Sequence, residues 1–146
     1  MKAPLFLFSI VLLSLFISCG SNKELQERAP AQFNQVYYTE TEEGLDLYIP
    51  VSVIQESRVE LESVYFRGMH SLLQLDEEQS NLYVASFNLG KGDRVMHVDP
   101  KEEYGNKAPQ PPKESPFEIN KDEAVLVFKQ NEKTKYYKLT GIEERN

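Results

Sequence analysis

The sequence predicts an all-β protein, a single antiparallel β-sandwich with a small β-barrel as the alternative. Three observations carry that expectation. Beyond residue 32, apolar side chains alternate with polar ones instead of recurring every three or four positions. Turn-forming clusters cut the chain into eight or nine short runs rich in valine, isoleucine, tyrosine and phenylalanine. No segment in this part of the chain sustains a helical period over more than two turns.

Residues 33–39 (FNQVYYT) form the first predicted strand, and residues 40–44 its turn. Leu45, Leu47, Ile49, Val51 and Val53 then fall on alternate positions, which is a strand with one buried face. Pro50 has no N–H to give to a ladder, so that strand is expected at an edge or interrupted there. After the turn at 55–57, Val59 and Leu61 share one parity while Val64 and Phe66 share the other. The switch predicts either a bulge near Ser63 or burial on both faces. Gly68 bends the chain into a strand over 69–75, and a polar turn at 76–81 leads to residues 82–89 (LYVASFNL), apolar on both faces as a central strand is.

The turn at 90–93 precedes a short predicted strand over 94–98. Residues 99–116 hold five of the eight prolines and no aliphatic side chain larger than alanine. So long a connection is uncommon within a compact domain, and a stiff crossover between its ends or sheets fits the composition. Alternation resumes at Phe117 and Ile119, residues 120–123 turn, and 124–128 (AVLVF) read as the most hydrophobic strand of the domain. A hairpin turn at 130–133 leads to a closing strand through Tyr136, Tyr137, Leu139 and Ile142. The pattern is immunoglobulin-like in general architecture.

The segment before the domain has a different character. Lys2 is followed by the apolar run Leu5 to Ile17, about the length of a signal-peptide core and short of the ~20 residues that cross a bilayer. It ends at Ser18 and Cys19, the only cysteine. One cysteine excludes an internal disulfide. Removing residues 1–18 from the 146 leaves 128, enough for one self-sufficient domain. Lys2 is the only charge in that leader, so the net charge moves from −7 to −8. Such acidity disfavours nucleic acid and attraction to anionic lipid. Residues 19–32 then form a tether, with a capping-box spacing at Ser21 and Glu24 but too few residues before Pro30 for a persistent helix. Its thirteen residues past Cys19 would reach ~43 Å fully extended.

Residues capable of chemistry are few. His97 and Asp99 would share a strand face, with Glu102 and Glu103 close behind, so these four are the candidate metal ligands of a small metal-assisted hydrolase. The sequence has no HExxH pair, no G-x-S-x-G elbow, no EF-hand loop and no phosphate-binding glycine loop. A non-enzymatic role without cofactor is the expectation. Tyrosine offers a surface instead: Tyr37, Tyr48, Tyr65 and Tyr136 lie in predicted strands beside inward-facing neighbours and are candidates for a binding face toward an envelope protein or a glycan.

The stretch Leu15-Phe16-Ile17-Ser18-Cys19, followed by Gly20-Ser21, resembles the lipobox of bacterial lipoproteins, with phenylalanine where leucine is commonest. Together with Tyr65-Phe66-Arg67-Gly68, the loop segment Glu103 to Pro109 and the terminal Lys135 to Ile142 run, it is similar to small uncharacterised lipoproteins of Bacteroidota. The resemblance implies a diacylglyceryl thioether on Cys19, removal of the leader, a further acyl chain, and a place at the outer membrane with the side left open. Two or three acyl chains hold a protein stably where one does not. An uncleaved anchor and a plain signal peptide with a free Cys19 are the alternatives. The resemblance assigns no catalytic residue, and an accessory subunit of a secretion or uptake complex is a further reading.

Overall fold

A computed structural model of the chain describes residues 23–90 and 109–146. The described residues form an all-β sandwich of two sheets, consistent with the immunoglobulin-like architecture expected. Ten strands follow in order: β1 (Ala31–Phe33), β2 (Tyr37–Glu40), β3 (Gly44–Ile54), β4 (Val59–Phe66), β5 (Met69–Leu72), β6 (Gln74–Leu75), β7 (Leu82–Asn88), β8 (Ala124–Gln130), β9 (Lys133–Leu139) and β10 (Glu143–Glu144). The first sheet runs β10-β2-β3-β7-β6, with β1 also on β3, and the second runs β5-β4-β8-β9. All pairs are antiparallel except β10 on β2.

The expected alternation builds β3. Leu45, Leu47, Ile49 and Val51 are buried and face the second sheet, while Asp46, Tyr48 and Pro50 point outward. They meet Val64, Phe66, Ala124, Leu126 and Phe128 in one core, which Tyr38 and Phe87 bridge through Phe66 at ring separations of 5.6 and 6.2 Å. Gly44 has no room for a side chain: an added Cβ would run into the carbonyl oxygen of Phe87 across the ladder.

Several expectations need correction: the strand expected over 33–39 divides into β1 and β2, and that over 69–75 into β5 and β6. The strand carrying Pro50 is neither an edge nor broken, because β3 continues through it between β1/β2 and β7. The interruption falls on the neighbour instead. The Pro50 carbonyl accepts from Asn34 N at 2.9 Å in the gap between β1 and β2, so its missing N–H faces the place where that ladder is already open. Residues 117–119 keep alternating burial but join no sheet, and β9 stops at Leu139 before the chain crosses to β10. The parity switch in β4 is a true bulge, with the register shifting between Leu61 and Ser63, and Val64 and Phe66 are buried beyond it.

The chain changes sheets at both flanks. At Leu73 it leaves β5, which pairs with β4, and enters β6, which pairs with β7. The Ser71 hydroxyl donates to the Ser86 carbonyl at 2.7 Å and ties the sheets together there. Hairpins β4–β5 and β8–β9 turn on paired positive φ values, at Arg67 (50°) and Gly68 (75°) and at Asn131 (51°) and Glu132 (64°). That is the geometry that suits the right-handed twist of the strands.

Order also starts before Phe33. β1 begins at Ala31, and Leu25, within the expected tether, pairs in parallel with Tyr136 of β9, where Gln26 N donates to the Tyr136 carbonyl at 2.7 Å. The strand expected over 94–98 lies outside the described residues.

Candidate functional site

Tyr37 and Tyr48 are direct cross-strand partners on the outer face of the first sheet. Their placement follows from the period of two: Tyr38 and Leu47 take the core, so the neighbouring rings must point the other way. The rings stack at 4.9 Å with an interplanar angle of 11°. Arg145 covers the other side of Tyr37, its guanidinium carbon 3.9 Å from the ring centroid. Backbone pairing fixes that arginine, since Glu143 lies opposite Tyr37 and Arg145 N donates to the Tyr38 carbonyl at 2.8 Å. Val84 of β7 is the next residue in the row, opposite Tyr48. Both faces of Tyr37 and one face of Tyr48 are taken by stacking, which leaves the ring edges, the phenol hydroxyls and the guanidinium as the polar parts of the row.

An open cleft of about 540 Å³ adjoins this row, with Glu42, Glu43, Asp46, Ser86, Asn88 and Gln110 in its lining. Asp46 is two residues before Tyr48 on the same face and lies opposite Ser86. Among the described residues, three carboxylates and no basic side chain line the cleft.

The other two tyrosine candidates do not join this face. Tyr65 and Tyr136 lie on the outer side of the second sheet, across the sandwich from Tyr37 and Tyr48. The described part of the proline-rich segment, from Pro109 onward, crosses them as a strap. Lys113 N donates to the Gly68 carbonyl at 3.0 Å, the Lys113 ammonium sits 5.8 Å from the Tyr65 centroid, and Phe117 meets Tyr136 edge-on at 5.3 Å. Lys138 Nζ donates to the Glu118 carbonyl at 2.9 Å. Val125 and Val127, opposite Tyr65 and Ser63 on this outer side, are buried along with the core-facing residues of β8. His70 packs at 4.6 Å against the Tyr65 ring. Burial, and then the charge of Lys113, holds its imidazole below the usual pKa of 6.5.

The metal candidates His97, Asp99, Glu102 and Glu103, and the lipidation candidate Cys19, lie outside the described residues. Among the described residues no group of three histidine, cysteine or carboxylate side chains could hold a metal ion, and no helix is long and apolar enough to cross a membrane.

Sequence reasoning missed a second polar centre. The Tyr38 ring is buried, but its hydroxyl accepts from Arg67 Nη2 at 2.8 Å and donates to Glu144 Oε2 at 2.9 Å. Arg67 also lies 4.4 Å over the Tyr38 ring and donates through Nε to the Lys121 carbonyl at 3.3 Å. Only Gly68 signalled a turn there; nothing local to Arg67 or Glu144 announces a partner so distant in sequence.

No protein-family profile, curated protein or solved structure matches the chain. The site therefore has to be interpreted from its own chemistry.

Proposed function

We propose that the chain is a lipid-anchored protein of the bacterial cell envelope, held at the outer membrane through Cys19. Its sandwich domain acts without catalysis, by contacting another envelope protein through the outer face of the first sheet. The observation that carries the contact surface is the Arg145–Tyr37–Tyr48 row. Tyrosine and arginine dominate the energetics of protein interfaces because each combines a large apolar area with a directional polar end. The row is already ordered by strand pairing, so little side-chain freedom remains to be lost on binding. Upright rings that present edges and hydroxyls suit a protein surface better than the flat side of a sugar.

Crosslinked capture of the tethered protein from intact envelopes tests the contact. A discrete partner retained by wild type and lost by Tyr48→Ala is the expected result. Equal capture by both would sink the surface, and a saccharide in place of a protein would change the partner class. For the anchor, wild type should incorporate labelled palmitate and Cys19→Ser should not; label retained by Cys19→Ser would defeat it.

A further inference from the structure

We infer that the paired lead-in orients the tethered domain, placing the β8–β9 hairpin end against the lipid surface and the acidic cleft away from it. This rests on the anchor reading of Cys19. The distance is set by the pairing at Leu25. Leu25 is six residue steps from Cys19, so the cysteine lies at most about 20 Å from Leu25 however the intervening chain runs. The reach is about half of what a free tether up to residue 32 would give.

The direction comes from the same pairing. Leu25 runs parallel to β9, and β9 leaves the β8–β9 turn at Lys133. The lead-in therefore enters from the hairpin end. The three residue steps from Lys133 to Tyr136 rise about 10 Å along the strand, which uses half of the available reach. The lipid surface then lies within about 10 Å of the hairpin end when the lead-in is fully extended.

At that end lie the β8–β9, β3–β4 and β6–β7 turns; Asn131 N donates to the Arg58 carbonyl, and Val51 N to the Asn81 carbonyl. The opposite end carries the β2–β3 turn, whose Glu42 and Glu43 line the cleft with Asp46. β3 is 11 residues long, so the cleft stands roughly 35 Å beyond the hairpin end.

The test uses the full-length protein matured in bacteria and reconstituted in vesicles containing acceptor-labelled headgroups. Acylation blocks Cys19, so an introduced cysteine is the only thiol a donor dye can reach. Ser57→Cys reports the hairpin end and Glu42→Cys the cleft end; both residues are exposed. Energy transfer should be several-fold stronger from position 57 than from position 42. Gln26→Pro, which removes the N–H donated to Tyr136, should shrink the difference while palmitate incorporation persists. So should twelve Gly/Ser residues inserted after Asn22. Equal or reversed transfer in a palmitate-labelled protein overturns the orientation and leaves the anchor standing. Dye on Cys19 itself, with no palmitate, overturns the anchor and the orientation with it.

Discussion

At the scale of single residues, the Tyr38 hydroxyl shows how position decides magnitude. It joins Arg67 and Glu144, two side chains that are themselves exposed. Water can replace the lost bonds at both, so Tyr38→Phe should cost about 1 kcal/mol rather than the 3 of a stranded buried charge. Tyr38→Ala also empties the space beside Phe66 and should cost about 3–5 kcal/mol. Urea denaturation separates the two, and similar losses would mean that the hydroxyl, not the ring, carries the site. His70 provides a pH test. Its pKa is lower in the folded chain than the ordinary 6.5, first through burial and then through Lys113. As pH falls through 6.5 the unfolded chain gains a proton that the folded chain resists, so stability declines toward acid and levels off below the folded value. The imidazole NMR titration should move up in Lys113→Gln. An unchanged midpoint would show that burial alone sets it. None of this was legible at Arg67, His70 or Glu144, because each owes its role to a residue far along the chain.

At the scale of elements, legibility followed the range of the interaction. The alternation from Leu45 to Val51 gave β3 its core face, and the parity switch between Leu61 and Val64 located the β4 bulge, since both signals are local. Pro50 misled because its lost N–H was compensated by a gap in the adjoining strand, a property of two segments and not of one. Phe117 and Ile119 alternate because one side rests on the second sheet, yet a strap needs no ladder. β10 was invisible: Glu143 and Glu144 have no strand preference, and pairing with β2 holds them in place. Of the candidate tyrosines, the sequence could give outward parity but not which sheet each ring would leave from. Gly44 makes the strongest test of β3. It opens the strand, is buried opposite Asn88, and accepts from Thr41 N through its carbonyl at 3.0 Å. An alanine methyl there meets the Phe87 carbonyl oxygen and lies 2.9 Å from Leu89 N, both main-chain atoms that cannot rotate away. Gly44→Ala should therefore lose about 2 kcal/mol or more, although alanine is favoured over glycine in most strands. A neutral effect in thermal or urea unfolding would mean that the β3–β7 ladder yields at this point.

At the scale of the molecule, the two sheets are one cooperative object because the chain passes between them at both flanks. β5 and β6 are consecutive yet belong to different sheets, and β9 hands over to β10 across Gly141. Neither sheet can leave without pulling strands from the other. The core reinforces this, since Tyr38 and Phe87 of the first sheet both pack on Phe66 of the second. Phe87 is almost fully buried, and Phe87→Ala should cost about 3–5 kcal/mol, a large share of the 5–15 kcal/mol that holds a domain together. The form of the loss matters more than its size. The chain has no tryptophan, so tyrosine emission reports the packing of rings in both sheets while far-ultraviolet dichroism reports the strands. For an all-or-none domain the two urea transitions coincide in the wild type and shift together in Phe87→Ala, with the slope unchanged. If the sheets were separable, the variant would split them, with dichroism retaining a second transition from the β4–β8–β9 sheet. Two midpoints would therefore overturn the single-unit account, and one shared shift would establish that the crossings at Leu73 and Gly141 make the sandwich indivisible.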